Sequence, residues 1–238
     1  MTPASHAPPL PDNDMLAALP RAAYQRMLAS LKPVRLEYGQ VLYEPLGVIT
    51  HVYFPLNSLV SLLTAVDAER NLEVGMVGNE GMVGMPMALG IGVSAVRALV
   101  QGAGTALQLS AARFRAEFKI NPPLQKVLFR YNHLLMAQIS QTAACNRFHE
   151  TPARLARWLL MTADRVHRDE FLLTHEFLAH MLGVRRVGVT QAAGTLQKAN
   201  LITYKRGNIV IQDHKGLEHA ACSCYKIVKD LQAVAQAR

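Results

Sequence analysis

The stretch LTHEFLAHMLGVRRVGVTQAAGTLQ, residues 173–197, predicts two short helices joined by a tight turn. Thr174 is suited to cap the first helix, because its hydroxyl can accept a free backbone N–H. Apolar residues recur at helical spacing on both sides of Gly183, a residue type that accepts the positive φ of a tight turn. The second segment leaves an outward face made of Arg185, Arg186, Gly188, Thr190 and Gln191. This pattern is typical of a helix-turn-helix.

The residues that follow predict a β-hairpin beside these helices. Residues 201–204 and 208–212 indicate two strands around Lys205, Arg206 and Gly207, which would form a basic wing. A helix fits the major groove of DNA, and basic groups at a hairpin tip can reach phosphates. We therefore expect double-stranded DNA to be bound by Thr174, Arg185, Arg186, Gly188, Thr190, Gln191, Lys205 and Arg206. The alternative is an ordinary helical hairpin with a solvated charged face.

Composition is consistent with a globular, basic protein. The 238 residues are 50% hydrophobic, and 25 Lys and Arg residues against 17 Asp and Glu residues give a net charge of +8. That balance favours polyanionic partners such as nucleic acid. The sequence predicts no signal peptide and no membrane span. Three cysteines are too few for a disulfide framework, so we expect a cytoplasmic protein.

Upstream, the pattern predicts an α+β fold with a β-roll before the DNA-binding part. Residues 1–13 are predicted to be a disordered tail, and residues 14–31 to be helical. Residues 14–120 would form the sensor domain, with a helix over 111–119. Its short strands are predicted over residues 34–38, 41–43, 51–54, 59–64, 72–76, 97–101 and 106–109.

A long helix is predicted over residues 121–148. We expect its apolar stripe to form a two-fold dimer seam, and so a homodimer; the alternative is that the stripe packs only on its own roll. Residues 149–238 would form the DNA-binding domain. It would open with a helix capped by Thr151, and its last helix would cover residues 217–235. The stripe consists of Leu124, Val127, Leu128, Tyr131, Leu135, Ile139 and Thr142, opposite Lys126, Arg130, Asn132, His133 and Gln138.

The order of roll, long helix and winged helix-turn-helix resembles the Crp/Fnr family of bacterial transcription regulators. The resemblance covers residues 14–212. It is strongest in ETPARLARWLL (150–160), in LTHEFLAHMLGVRRVGVTQAAGTLQKANLI (173–202) and in YGQVLYEPLGVITHVYFPLNSLVSLL (38–63). It implies transcription regulation, with RNA polymerase as a candidate partner. Arg186 matches a guanine-reading arginine, whereas Val187 and Gln191 replace an acidic and a basic reader, so the preferred operator should differ from that of the best-known members.

The resemblance also implies an effector pocket. Members that bind cyclic nucleotides carry a Gly-Glu pair and an Arg-Ser or Arg-Thr pair, and here those positions hold Gly84-Met85 and Arg97-Ala98. We therefore expect an unknown small-molecule effector rather than cyclic AMP. The glycine-rich residues 75–92 lack the Gly-Lys-Ser/Thr of a phosphate loop. They would make tight strand turns or, alternatively, a backbone cradle for an anion near Arg97.

Metal, cofactor and enzyme functions are not expected. Cys222-x-Cys224 lies near His214 and His219, but it lacks two well-spaced ligand pairs, so packing of a terminal helix is favoured over metal binding. The N-terminal cysteines of an iron–sulfur centre are absent, and haem ligation through His51 has no support beyond the residue type. Glu73, Glu80 and His51 are candidate acids and bases without a nucleophile or metal motif. A sensor or interaction module that keeps this fold without specific DNA binding is the alternative function.

Overall fold

The computed structural model describes residues 12–65 and 71–236 of the chain. Two short helices lead into a roll of seven strands, a long helix follows the roll, and a smaller helical domain with its own sheet ends the chain. The α+β fold predicted from the sequence is confirmed. Within the described residues, no helix is both long and apolar enough to cross a membrane.

Asn13 caps the first helix. Its side-chain Oδ1 accepts the backbone N–H of Leu16, and its Nδ2 donates to the carbonyl groups of Pro55 and Gly81. Asn13 is fully buried, so the predicted tail over residues 1–13 is too long at this end. Residues 1–11 of that prediction lie outside the described residues. The predicted helical segment is broken at Pro20 into α1 (Asp14–Ala17) and α2 (Arg21–Leu28).

Seven antiparallel strands form the roll, close to the predicted positions. One sheet has the order β1-β7-β3 and the other the order β2-β6-β4-β5. Large apolar side chains, including Leu36, Phe54 and Leu109, fill the space that the sheets enclose. The strands are β1 (Lys32–Leu36), β2 (Val41–Tyr43), β3 (His51–Pro55), β4 (Leu59–Ala65), β5 (Asn71–Val77), β6 (Arg97–Gly102) and β7 (Gly104–Ser110).

The glycine-rich residues 75–92 serve helix packing. A Cβ on Gly81 would lie 2.0 Å from Cζ of Tyr131, and a Cβ on Gly78 would lie 2.5 Å from Cβ of Arg165. Glycine is required because two later helices approach this backbone closely. Arg97, which the cradle interpretation needs, instead pairs with Glu44 at 2.8 Å.

Two helices follow the roll, α3 (Ala111–Ile120) and α4 (Pro122–Phe148). Asn121 caps α4 by accepting the backbone N–H of Leu124 at 3.2 Å. The apolar stripe predicted as a dimer seam is instead buried against the chain's own roll, where Leu128 and Tyr131 belong to the core. That assignment of the seam is wrong, because the roll leaves an apolar surface that α4 covers within the same chain.

Gln138 also lies on the roll side of α4, whereas the sequence placed it on the polar side. Its amide is buried and makes two hydrogen bonds to the backbone of Met76 in β5, at 2.8 and 3.2 Å. Strand β5 is at the edge of its sheet, and these two bonds take the place of a neighbouring strand at Met76. A polar residue is therefore tolerated in the interior because both ends of its amide are paired.

The C-terminal domain is built around α5, which is buried along most of its length. Its N-cap is Glu150 and Thr151 is the first helical residue, so the predicted cap is wrong by one position. The domain's sheet has the order β8-β10-β9, and the sequence predicted two of these strands but missed β8. The predicted terminal helix is two helices. The elements are α5 (Thr151–Val166), β8 (Glu170–Leu172), α6 (His175–Leu182), α7 (Arg186–Lys198), β9 (Ile202–Lys205), β10 (Asn208–Ile211), α8 (His214–Ala220) and α9 (Cys224–Gln236).

Helix α5 is attached to the roll by two polar contacts. The indole Nε1 of Trp158 donates to Oε1 of Glu73 at 2.8 Å, and Nε of Arg165 lies 2.8 Å from Oε1 of Glu80. The hydroxyl of Ser61 donates to the other oxygen of Glu73 at 2.6 Å. Burial raises the pKa of Glu73 from an ordinary 4.5 to about 7, although the hydrogen bonds from Ser61 and Trp158 oppose the rise.

We expect the Glu73→Gln substitution to remove a pH dependence of stability. Because the pKa of Glu73 is higher in the folded than in the unfolded state, its ionisation costs stability as pH rises from about 4.5 through about 7. Between about pH 5 and pH 8 the native protein should lose on the order of 1–3 kcal/mol relative to the variant. Urea denaturation at several pH values measures this difference. Glu37→Gln, which removes an exposed carboxylate, is the control. If the free energy of unfolding depends equally on pH in the native protein and in E73Q, the raised pKa of Glu73 is contradicted.

Candidate DNA-binding surface

The first helix of the predicted motif, α6, begins and ends as the sequence indicates. The hydroxyl of Thr174 accepts the backbone N–H of Phe177 at 3.1 Å. At the other end Gly183 adopts a φ of +60°, and the N–H of Val184 donates to the carbonyl of Ala179 at 3.0 Å. This left-handed glycine turn sends the chain directly into the second helix.

The second helix, α7, has one buried and one exposed face. Arg185 is its N-cap, and Arg186 is its first residue. The buried face consists of Val189, Ala192, Ala193 and Leu196, and the side chains of the exposed face at the helix start are those of Arg185, Arg186, Val187, Thr190 and Gln191. The structure thus places the predicted reading side chains on one accessible surface, at the N-terminal end where a recognition helix presents its contacts.

Gly188 is half-buried within this helix. A Cβ at this position would be 3.9 Å from the nearest atoms, Cβ and Cγ2 of Val184, which is ordinary van der Waals contact. Close packing between helices of this chain therefore does not require glycine here. A glycine in a helix costs about 1 kcal/mol relative to alanine, and the fold does not account for that cost.

The hairpin beside α7 has the predicted basic tip. Lys205 pairs with Asn208, so two residues connect the strands: Arg206 at φ +53° and Gly207 at φ +83°. Two consecutive positive φ values are typical of the turn that best matches the twist of a β-hairpin. Lys205 and Arg206 are both exposed. The third strand, β8, pairs with β10 and widens this wing into a small sheet.

His175 connects the two helices and the wing, a role that sequence reasoning missed. Its ring packs edge-on against Tyr204 with centroids 4.5 Å apart, and its Nδ1 lies 3.0 Å from the hydroxyl of Thr190. That hydroxyl donates its single hydrogen to the carbonyl of Arg186, so His175 is the donor in the other contact. Burial, with the charge of Arg186 as a second cause, lowers the pKa of His175. The contact of the His175 ring with the Thr190 hydroxyl holds that side chain in place.

The exposed surface at the start of α7 and at the wing tip is basic. Among the described residues, no carboxylate forms an ion pair with Arg185, Arg186, Lys205 or Arg206. Four guanidinium and ammonium groups on one surface attract phosphates and gain affinity by releasing counterions from DNA. The start of α7 and the tip of the wing are together suited to a nucleic-acid groove and its flanking backbone.

The predicted effector residues lie in the roll. Met85 begins a 3-10 helix (Met85–Leu89) and is buried, and Ala98 is fully buried in β6 opposite Tyr43. A Cβ on Gly84 would lie 2.9 Å from Cγ1 of Val52 and 3.0 Å from the Tyr43 hydroxyl. The guanidinium of Arg97 is held by Glu44. Gly84, Met85 and Ala98 are therefore packed among apolar side chains and Tyr43, and Arg97 belongs to an ion pair.

Comparison with known proteins finds a family match in the C-terminal region. Residues 153–220 match the family model described as the Crp-like helix-turn-helix domain. This part of the chain is therefore similar to Crp-like helix-turn-helix domains, and we call it the Crp-like domain. A sequence search of curated proteins finds no match.

Solved structures share the fold of about four fifths of the chain. The c-di-GMP-responsive global regulator CLP of Xanthomonas campestris is 16% identical, with a TM-score of 0.66 over 82% of this chain and 100% of that one. FixK2 of Bradyrhizobium japonicum is 12% identical, with a TM-score of 0.68 over 81% and 98%. A transcriptional regulator of the CRP family from Thermus thermophilus, TTHB099, is 20% identical, with a TM-score of 0.63 over 79% and 96%. The predicted resemblance to the Crp/Fnr fold is confirmed.

The Crp-like domain rests on the roll through the turn of its helix-turn-helix. A Cβ on Gly183 would lie 2.6 Å from Cδ1 of Leu72 in β5. Close by, the ring of Phe177 in α6 packs on Tyr38 with centroids 5.8 Å apart. The motif is therefore held from behind by the roll, while the exposed side chains at the start of α7 face solvent.

The remaining candidate chemical residues have structural partners. Glu73 and Glu80 bind Trp158 and Arg165, and His51 contacts the hydroxyl of Thr50, so each has a partner within the fold. His214 pairs with Asp169 at 2.6 Å, and His219 contacts the carbonyl of Lys215 at 2.7 Å. Neither histidine lies beside the cysteines. Cys222 and Cys224 instead approach Cys145 and His149.

We expect Gly183→Ala to destabilise the Crp-like domain. Alanine at a left-handed φ costs roughly 1–2 kcal/mol, and its Cβ would displace Leu72. The matched control is Gly194→Ala in α7, where a Cβ meets nothing within 4 Å and should add about 0.5–1 kcal/mol of stability. Urea denaturation measures both changes. Adding Leu72→Ala should recover only the steric part of the loss; a fully stable G183A protein would contradict the requirement for glycine at this turn.

Proposed function

We propose that the chain is a sequence-specific DNA-binding transcription regulator that acts as a homodimer. One observation carries the proposal: the exposed basic start of α7 and the basic wing tip lie together in a Crp-like helix-turn-helix domain. Each subunit would place α7 in a major groove, where Arg186 reads a guanine and Lys205 and Arg206 contact phosphates. Gly188 supports this arrangement, because the absence of a side chain lets the helix approach the DNA.

The exposed side of α4 supports the homodimer. On the side of this helix opposite the roll, accessible residues recur at alternating intervals of three and four positions. Phe129 and Met136, two large apolar residues of this helix, are 51% and 54% exposed and lie on this side. Such spacing is that of a two-helix seam. The seam consists of Lys126, Phe129, His133, Met136, Ser140, Ala143 and Arg147.

Regulation without cyclic AMP is part of the proposal. Met85 offers no acceptor for ribose hydroxyl groups, Ala98 offers no donor, and Arg97 is engaged by Glu44. The apolar packing around Gly84 also leaves little room at its backbone. A different small-molecule effector and a contact with RNA polymerase stay predictions of the family resemblance.

DNA binding by the purified protein tests the regulator. Its own upstream region and a random duplex should be compared by fluorescence anisotropy at two salt concentrations, with and without cyclic AMP. We expect selective binding without the nucleotide. Selective binding only with cyclic AMP would contradict the proposed independence. Equal affinity for both duplexes would favour a sensor or interaction module that keeps the fold.

Two substitutions separate base reading from phosphate contact. Arg186→Ala should cost about 1–3 kcal/mol on the preferred site and relax the base preference at one position. Lys205→Ala should weaken binding to every sequence alike and reduce the salt slope by about one. Thermal melts of both variants control for folding. An equal loss on all duplexes from R186A would exclude its role as a base reader.

Met136→Glu tests the homodimer. The substitution places a charge in the middle of the seam on α4, so the protein should become monomeric in sedimentation velocity and lose affinity for paired half-sites, which lie about 34 Å apart. Leu172→Glu, at a residue that is 78% exposed on the edge strand β8, is the control and should leave the oligomeric state unchanged. A dimeric M136E protein would contradict the seam.

A further inference from the structure

Four side chains with metal-binding atoms meet where α4 ends and α9 begins. Cys145 and His149 lie one turn apart at the end of α4, so they point from the same side of the helix. Cys222 and Cys224 flank a single residue at the break between α8 and α9. The four residues come from positions up to 79 apart in sequence. Only the folded domain brings them together.

The distances match a tetrahedral ligand set. Sγ of Cys145 lies 3.4 Å from Sγ of Cys222, and Sγ of Cys224 lies 3.4 Å from Nδ1 of His149. All four ligand atoms lie within 4.8 Å of one another. Zinc–sulfur bonds of about 2.3 Å and zinc–nitrogen bonds of about 2.0 Å in a tetrahedron separate neighbouring ligands by roughly 3.5–3.8 Å. Small side-chain movements would therefore place an ion at the centre.

The surroundings of the cluster differ from those of cysteines that only fill a core. All three cysteines are buried, yet they form a group separate from both apolar cores, with Ala153 as the partly buried apolar residue packed on them. Polar groups surround them: Nε2 of Gln141 donates to Sγ of Cys224 at 3.1 Å. Arg154 and Arg157 of α5 are buried nearby and act on Cys145 electrostatically.

We propose that Cys145, His149, Cys222 and Cys224 bind one Zn²⁺ ion in a closed tetrahedral site. The three thiols release their protons on binding, and Nδ1 of His149 supplies the fourth ligand as a neutral ring. Three thiolates and one divalent cation leave a single negative charge, which Arg154 and Arg157 offset. The hydrogen bond from Gln141 holds one sulfur in position.

The ion would fasten α9 to the end of the long helix. Without it, α9 is held by packing and by single hydrogen bonds, such as that of Gln141 in α4 with Cys224 and that of Tyr225 with Asp164 in α5. Zinc would therefore stabilise the C-terminal domain by binding only the folded chain. This inference does not rest on the proposed DNA-binding function, because metal content and spectra are measured without DNA.

Metal binding by the full-length protein, kept under reducing conditions, is the direct test. After dialysis against a chelator, titration with Co²⁺ should give one bound ion per chain. We expect thiolate-to-cobalt charge-transfer bands together with the intense visible bands of tetrahedral cobalt. Added Zn²⁺ should displace the cobalt completely, and zinc should raise the melting temperature of the native protein. This arm needs no variant and so does not depend on any variant folding.

A matched pair of histidine variants locates the site. His149→Ala removes a ligand and should weaken zinc binding by more than the roughly 10–100-fold typical of changes around a metal's ligands. His219→Ala removes a histidine of the same domain that does not join the cluster, and it should bind zinc like the native protein. Cys224→Ser should also lose the charge-transfer intensity of one sulfur.

Three results would overturn the proposal. The first is no stoichiometric Co²⁺ or Zn²⁺ binding by the reduced native protein. The second is equal zinc affinity for H149A and H219A. The third is a Cys145–Cys222 disulfide that mass spectrometry detects in the protein purified under reducing conditions, since that bond would consume two of the ligands.

Discussion

The attachment of α5 to the roll is the constraint on which the arrangement of the two halves depends. Arg165 and Glu80 form a buried ion pair, with side chains 4% and 12% exposed. Removing one partner of such a pair costs on the order of 3–5 kcal/mol, because the other charge stays buried. Trp158 adds a hydrogen bond to Glu73 on the same side of the helix. Since α5 is also the centre of the C-terminal core, the position of the whole Crp-like domain follows from these contacts.

Much of the fold could be predicted because its signals are local. Thr174, Gly183 and the alternating strands of the roll act through neighbouring backbone, so the sequence alone contains the information. The exposed face of α7 is predictable for the same reason, since one apolar face determines which side chains point outward. The order of roll, long helix and winged helix-turn-helix also follows from these local patterns, and the family resemblance rests on that order.

The features that could not be predicted are those that depend on distant residues. An apolar stripe on α4 indicates burial but does not say whether the roll or a second chain covers it. Strand β8 has three residues and becomes a strand only by pairing with β10. The role of His175 depends on Tyr204 in the wing, and the neighbours of Cys222 and Cys224 lie more than 70 residues earlier. Sequence proximity suggested His214 and His219, whereas the fold brings Cys145 and His149.

The contacts between the roll and the Crp-like domain have a consequence for protein engineering. Leu72 meets the turn at Gly183, and Glu73 and Glu80 hold α5. The two halves are therefore in direct contact, even though the end of α4 looks like a suitable place to divide the sequence. A chimera that joins a foreign sensor to this domain at that cut would have to carry equivalents of these three side chains. Without them the transplanted domain would keep its own fold but lose its orientation.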